Sequence, residues 1–146
     1  MANEPSLHAA RPTAVLVDTC VLLDILTDNP TWSEWSATTV AAARDNGDLV
    51  INPIIYAEVS AGFERIEDVD AALPVTDFRR EPLPYQAGFL AARAFVDYRR
   101  RGGARSSPLP DFYIGAHAAV SRYRVITRDT ARFRTYFPGI ELLTPN

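Results

Sequence analysis

Four acidic side chains stand where an α/β chain would carry out chemistry. Asp18 ends an apolar run in the stretch AVLVDTCVLLDIL, and Glu58 lies among apolar residues in PIIYAEVSAG. Asp111 follows a loop at the start of a predicted helix, and Asp129 follows the short segment RVIT. Burying a lone ionised carboxylate is costly. No Lys or Arg lies between residues 12 and 43, so Asp18 must find its partner elsewhere in the chain or in solution.

The elements that must position these acids alternate between strands and helices. Short apolar runs predict strands at 14–18, 48–52, 124–127 and 140–143. Helical spacing, together with residues that typically begin or end helices, predicts helices at 31–45, 53–63, 64–73, 84–101, 111–122 and 129–137. This alternation indicates an α/β fold with a central parallel sheet covered on both faces. In such a sheet, function gathers at the carboxyl ends of the strands, where Asp18 and Asp129 lie.

Local patterns add detail to two of these helices. Thr31 and Glu34 in TWSE have the spacing of a capping box, and Asn46-Gly47 is a C-terminal signal. The helix over 84–101 aligns four apolar residues on one face: Tyr85, Phe89, Ala92 and Val96.

The composition is that of an ordinary globular protein. The chain has 146 residues, 47% hydrophobic and 23% charged, which predicts one domain. A single Cys and two His argue against an internal disulfide and a structural zinc site. No apolar run approaches a membrane span, and the first residues show no apolar signal core. We therefore expect a flexible N-terminal extension over 1–13, a single domain over 14–146 and a cytoplasmic location.

Charge is divided unevenly along the chain. Residues 1–78 hold 3 Arg against 13 acids, a balance of −10, and residues 79–146 hold 12 Arg against 5 acids, a balance of +7. This asymmetry suits a partner that carries phosphates, although solvated helix faces or pairing with the acidic first half would also explain it. The arginines that we expect to hold a nucleic-acid backbone are Arg100, Arg101, Arg105 and Arg128.

Each acid also has a structural explanation. An Asp at a helix N-terminus is usually a cap, and Asp111 and Asp129 could each be only that. Glu58 could pair with Arg65. Asp18 has the weakest structural explanation, because its flanks are so apolar. The remaining acids, Asp24 among them, lie in polar or turn contexts and are expected to be solvated.

If the four acids converge, their repulsion must be cancelled. Two unit charges about 4 Å apart cost about 4 kcal/mol at an effective dielectric constant near 20. A hard divalent cation offsets this cost, and oxygen ligands select Mg²⁺ or Mn²⁺. Such an ion activates water and stabilises the leaving oxygen of a phosphodiester.

Four segments together resemble the PIN-domain ribonucleases, and most closely the VapC-type toxins of bacterial toxin–antitoxin pairs: VLVDTCVLLDIL, NPIIYAEVSAGF, LPDFYIGAHAAV and VITRDTARF. The resemblance covers residues 14–144. It implies a three-layer α/β/α domain and a metal-dependent endoribonuclease. The acids Asp18, Glu58, Asp111 and Asp129 match the family's catalytic and metal-binding positions, and Thr19 and Thr127 match its supporting hydroxyls.

The resemblance also implies partners: an RNA substrate, a cognate VapB-type antitoxin lying across the groove, and a second copy in a homodimer. An apolar surface beside the helix at 31–45 is the expected docking place, and Trp32 or Trp35 could contribute to it, although core packing is the expected role of both. His117 falls within the third motif, six residues from Asp111 and nearly on the opposite side of the helix. We interpret His117 as structural.

Other classes fit less well. A haloacid-dehalogenase-like phosphatase needs a second Asp where Cys20 stands, and it normally uses a Lys, as does a receiver domain. An inactive PIN fold that only binds RNA or protein has no need of four acids. A further alternative is a PIN nuclease that processes RNA without an antitoxin. A short reading frame for an antitoxin next to this gene would favour the toxin over this alternative.

Overall fold

The computed structural model describes residues 14–145, so the predicted extension over 1–13 lies outside the described residues. Five short strands form one sheet in the order β3-β2-β1-β4-β5, and every pairing between neighbours is parallel. The strands are β1 Val15–Val17, β2 Leu49–Ile51, β3 Phe78–Arg80, β4 Arg124–Ile126 and β5 Leu142–Leu143. The predicted parallel sheet is confirmed. The strand β3 was not predicted, because FRR lacks an apolar run.

Seven helices connect the strands in the described part of the chain. They are α1 Thr19–Leu26, α2 Ser33–Asn46, α3 Pro53–Ser60, α4 Ile66–Ala72, α5 Tyr85–Arg100, α6 Pro110–Ser121 and α7 Ala131–Tyr136. The helix α1 was not predicted, because Val21, Leu22 and Leu23 read equally well as a continuation of the buried run. Asp18 caps it by accepting a hydrogen bond from the Thr19 N–H.

Burial along the central strand shows that helices cover both faces of the sheet. Val15, Leu16 and Val17 point alternately to opposite faces, yet each is 0% exposed. A strand buried on both sides must be apolar throughout, which explains the continuous apolar run before Asp18. The predicted α/β/α class is therefore confirmed.

The order of the strands creates a crevice beside β1. The chain runs from β1 outward through β2 to β3 and then returns to the other side of β1 with β4. The direction of winding therefore reverses between β1 and β4, which are in register from Val15 opposite Arg124 to Val17 opposite Ile126. Ligands of open parallel sheets bind at such a switch point, beyond the carboxyl ends of the strands.

The predicted capping box at the start of α2 is wrong. The side-chain oxygen Oδ1 of Asn29 instead accepts hydrogen bonds from the backbone N–H groups of Thr31 and Trp32, both at 2.9 Å, and the helix begins at Ser33. The Asn side chain satisfies donors in the turn before the helix, so Thr31 has no capping role left. The predicted C-terminal boundary at Gly47 is confirmed.

The aromatic face of α5 is not the face that is buried. Tyr85 and Phe89 are 98% and 67% exposed, whereas Ala87, Ala91 and Ala94 are buried. The alanine face packs against α6 around Phe112, where small side chains let the two helices approach closely. Helical spacing grouped the aromatic residues on one face but could not tell whether that face meets the neighbouring helix.

Within residues 14–145, no helix is both long enough and apolar enough to cross a membrane.

Candidate active site

Asp18 lies at the switch point, directly beyond the end of β1. Its backbone N–H donates to the carbonyl of Ile126 at 3.0 Å, which joins the carboxyl ends of β1 and β4. Thr127 follows β4 immediately and is fully buried. The parallel pairing of β1 with β4 therefore brings together two positions 109 residues apart.

A set of short hydrogen bonds orients the Asp18 carboxylate. Its Oδ1 accepts from the Thr19 N–H at 2.8 Å, and its Oδ2 accepts from the Thr127 hydroxyl at 2.7 Å. The Thr127 oxygen in turn accepts the N–H of Asp129 at 3.0 Å. Burial nevertheless raises the pKa of Asp18, against the lowering effect of these donors, and the Glu58 charge adds to the rise. Asp18 therefore has hydrogen-bond partners but no cation among its contacts in the described residues.

Glu58 reaches the same place from α3. The Thr19 hydroxyl donates to Glu58 Oε1 at 2.6 Å, so Thr19, the first residue of α1, bonds to two of the four acids. The alternative partner is wrong, because Arg65 lies beyond the end of α3 and pairs with Glu67 at 3.3 Å instead. Both predicted hydroxyls, those of Thr19 and Thr127, thus contact predicted site acids.

Asp111 and Asp129 are not helix caps. Leu109 and Thr130 occupy the N-cap positions of α6 and α7, and neither makes a side-chain capping bond. The pKa of Asp111 is raised to about 6, chiefly by burial and then by the charges of Asp18 and Asp129, while Arg132 acts to lower it. Glu58 contributes to the same rise. Asp111 therefore interacts electrostatically with the other three acids predicted from the sequence.

The donor set suits a hard divalent cation, although it does not form a closed cage. Within residues 14–145, no group of three Asp, Glu, His or Cys side chains is arranged closely enough to coordinate a metal ion without rearrangement. Mg²⁺ does not require such a cage, because it usually keeps several waters and binds through one or two carboxylates plus substrate phosphates. The Cys20 thiol lies 3.5 Å from Asp18 Oδ2, but burial raises its pKa to about 11, which keeps it neutral and a poor ligand.

Arg128 has a partner inside the protein that the sequence did not indicate. Its Nε and Nη2 each donate to Asp24 at 2.7 Å, and Ser36 donates to the same carboxylate at 2.8 Å. The Arg128 guanidinium also lies 5.4 Å from the ring of Trp32. The expectation that Asp24 is solvated is wrong, because its side chain is 2% exposed.

The basic loop after α5 is held mainly by side chains of the last turn of α5. Arg101 donates to Asp97 at 3.0 Å, and Arg99 donates to the backbone carbonyl of Arg105 at 2.8 Å. Arg79 and Arg80 pair with Asp48 and Asp70 of the acidic first half. Pairing between the halves thus accounts for part of the charge asymmetry. An RNA-binding role for Arg100, Arg101, Arg105 and Arg128 remains a prediction.

His117 is fully buried beside Asn52, Glu81 and Tyr123. Asn52 uses its Oδ1 to accept the Ile55 N–H, so its Nδ2 donates to His117 Nδ1 at 3.0 Å and leaves the ring proton on Nε2. That Nε2 lies 3.3 Å from Glu81 but in no hydrogen-bond geometry. Burial lowers the pKa of His117, so the ring is neutral at pH 7. These contacts fit the structural role expected for His117.

A parallel doubly wound sheet with acids at its switch point defines a class of α/β domain that acts on ligands at the carboxyl edge of the sheet. The family model described as the PIN domain matches residues 15–137. The chain belongs to the PIN domain family. A search of curated protein sequences finds no match.

Solved structures share this fold at low sequence identity. VapBC2 from Rickettsia felis, bound to a promoter DNA fragment, is 14% identical with a TM-score of 0.71, over 92% of this chain and 100% of the other. FitAcB from Neisseria gonorrhoeae is 20% identical with a TM-score of 0.66, over 90% and 97%. A toxin–antitoxin complex from Klebsiella pneumoniae is 22% identical with a TM-score of 0.66, over 90% and 98%.

Proposed function

We propose that this chain is a divalent-metal-dependent endoribonuclease that acts in the cytoplasm as the toxin of a toxin–antitoxin pair. One observation carries the proposal: two buried threonine hydroxyls tie the carboxylates of Asp18 and Glu58 to the switch point of a PIN fold. Thr127 holds Asp18, and Thr19 holds Glu58, with Asp111 and Asp129 close enough to act electrostatically.

The proposed metal ligands are Asp18, Glu58, Asp111 and Asp129. A bound Mg²⁺ or Mn²⁺ would supply a Lewis acid for the phosphodiester and relieve the mutual repulsion of the acids. Thr127 and the Thr19 N–H fix both oxygens of Asp18, so this carboxylate presents a constant geometry to a ligand. Thr19 occupies Glu58 Oε1 and leaves Oε2 without a hydrogen-bond partner among the described residues.

An apolar groove supports the proposed antitoxin partner. It encloses about 330 Å³ between α1, α2, α4 and the start of β3, and its lining includes Leu22, Ile25, Val40 and Leu73. An apolar segment of a VapB-type antitoxin would fill this groove, and a basic group would enter the acidic site. Trp32 and Trp35 are not among the lining residues; Trp35 packs against the core. The similarity to VapBC2 from Rickettsia felis and to the toxin–antitoxin complex from Klebsiella pneumoniae supports a partner of this kind.

The direct test is incubation of the purified protein with total RNA, with and without Mg²⁺, followed by mapping of the cut ends. We expect cleavage that needs Mg²⁺ or Mn²⁺ and stops in chelator. Asp129→Asn is the matched variant, because the Asp129 side chain makes no hydrogen bond within residues 14–145 that the substitution would remove. Cleavage that survives thorough chelation contradicts the metal site.

Two further experiments separate toxin from processing nuclease. Expression of the protein alone in its host should arrest growth, and Asp18→Ala should relieve the arrest. Light scattering should give the mass of a homodimer. A harmless wild-type protein would leave an RNA-processing nuclease as the function, and a protein that is both harmless and inactive on RNA would leave a binding module.

A further inference from the structure

Arg132 stands beside the acidic site but was not among the arginines predicted to bind RNA. It lies in the first turn of α7, three residues after Asp129. Its Nε is 3.9 Å from Asp111 Oδ2, which is within ion-pair range but too long for a hydrogen bond. Its side chain is 35% exposed, so the group is partly sheltered while still open to solvent.

Two aromatic rings hold the Arg132 guanidinium. Its central carbon lies 5.7 Å from the ring centroid of Tyr98 and 5.7 Å from that of Phe112. These rings pack edge-on at 5.6 Å, and Phe112, the neighbour of Asp111, is fully buried. Cation–π attraction to both rings therefore fixes the guanidinium at the edge of the acidic site and reduces its conformational freedom.

The hydrogen-bond donors of Arg132 have no partner among residues 14–145. Arg128 is bonded to Asp24, and Arg101 to Asp97, so neither offers all its donors to a ligand. Arg132 differs because a planar fork of five N–H groups is held in place with no acceptor at hydrogen-bond distance. Such a fork matches the oxygens of a phosphate group.

We propose that Arg132 contacts the phosphodiester of bound RNA and positions it against the carboxylates around Asp111. The inference rests on the proposed function. The positive charge of Arg132 offsets part of the repulsion between the negatively charged RNA and the negatively charged carboxylates. In the absence of RNA the same guanidinium serves as a weak counter-charge to Asp111.

A purely structural Arg132 would only balance Asp111 or pack on the rings. That role predicts an altered melting temperature and unaltered RNA affinity. A phosphate contact instead alters the RNA affinity and its dependence on salt, because each contact releases counterions and contributes a slope of about −0.7 in log affinity against log salt for single strands.

The experiment compares Arg132→Gln with Arg134→Gln, which removes the same charge from the same helix. The Arg134 side chain is exposed and makes no hydrogen bond, ion pair or ring contact within residues 14–145, so it is the matched control. Binding of a short fluorescein-labelled single-stranded RNA is measured by anisotropy with Mg²⁺ across a salt series, in an Asp129→Asn background that prevents cutting. Cleavage kinetics are measured in the parent protein.

We expect R132Q to weaken RNA binding and lower kcat/KM by about 10- to 100-fold, the range for losing one charge-assisted interaction. Its salt slope should flatten by about 0.7, and R134Q should stay within about twofold of the parent. Arg132→Lys should restore the slope but only part of the rate, because it keeps the charge and loses the fork. If R132Q melts well below the parent, Arg132→Met, which keeps the stem packed on the rings, takes its place.

RNA affinity and salt slope unchanged in R132Q, or lowered equally in R134Q, would overturn the inference. A wild-type protein that cleaves no RNA would overturn the proposed function alone, since the binding comparison would still decide the role of Arg132.

Discussion

Replacing Asp24 by Asn should destabilise the protein strongly, although Asp24 is not one of the proposed metal ligands. The Asp24 carboxylate is 2% exposed and accepts two hydrogen bonds from Arg128 and one from Ser36, all between 2.7 and 2.8 Å. An Asn amide has almost the same shape. It removes the counter-charge of Arg128 and turns one acceptor into a donor that faces another donor.

The size of the effect follows from the burial of the two partners. Breaking a fully buried ion pair by removing one member costs about 3–5 kcal/mol. Arg128 is 27% exposed and keeps some hydration, so we expect a loss of about 2–3 kcal/mol. For a chain of this length, each kcal/mol lowers the melting temperature by roughly 2–4 °C, which gives a drop of about 5–10 °C.

Urea unfolding followed by tryptophan fluorescence measures this loss. Trp32 lies 5.4 Å from the Arg128 guanidinium, so its emission also reports the state of the pair. The matched control is Asp97→Asn, which breaks an exposed i,i+4 pair with Arg101 and should cost under about 0.5 kcal/mol. A D24N protein as stable as D97N would refute the reasoning.

The same pair makes stability depend on pH with a defined sign. Hydrogen bonds from Arg128 lower the pKa of Asp24 in the folded protein. The unfolded chain therefore binds this proton more readily, so the contribution is fully present above the unfolded pKa and is lost as the pH falls through the folded pKa. The stability difference between wild type and D24N should accordingly shrink on acidification below about pH 4, near the ordinary Asp value.

Three further predictions concern the site and its surroundings. Asp111→Asn should abolish cleavage yet raise the free energy of unfolding at pH 7 in chelating buffer by about 1–2 kcal/mol. The reason is that the pKa of Asp111 is about 6 in the folded protein, so the fold disfavours the charged carboxylate at pH 7. Urea titration at pH 3 and pH 7 should show this gain at pH 7 only. Gly115→Ala should lower the free energy of unfolding by about 1–3 kcal/mol, because a Cβ at this position would lie 2.4 Å from the Phe137 ring. The control is Gly88→Ala, which has open space around it and should not destabilise α5. Thermal melting of both variants measures the difference. Cys20 should react with iodoacetamide at pH 8 about 100-fold more slowly in the folded than in the unfolded protein, because its pKa is about 11, and equal rates would contradict its burial.

Local sequence determined most of the elements, with β3 and α1 as the exceptions, and the placement of the acids along them. A strand buried on both faces must be continuously apolar, so β1, β2 and β4 were visible as short apolar runs. Pro53 and Pro110 are compatible with the first helical turn, and each stands at the first position of its helix. The parallel arrangement then implied that Asp18 and Asp129, at the ends of two strands, lie at one edge of the sheet.

Only the tertiary structure decided which side chains meet across that edge. Asp18 is bonded to Thr127, 109 residues away, and Asp24 to Arg128, 104 residues away. Patterns of local sequence act over a few residues, whereas these pairs depend on how β4 returns beside β1. Asp24 and Asp18 both lie near Val21 in sequence, and nothing local distinguishes the acid that meets an arginine from the acid that meets a hydroxyl.

The same reason explains the helix faces and the role of Arg132. Both faces of α5 repeat with helical spacing, and the choice between them depends on the shape of α6, where Phe112 admits alanines rather than Tyr85 or Phe89. That packing also places Tyr98 and Phe112 under Arg132. Arginine types and charge balance are properties of the sequence, but whether an arginine is paired, buried or held with its donors open is a property of the packed elements around it.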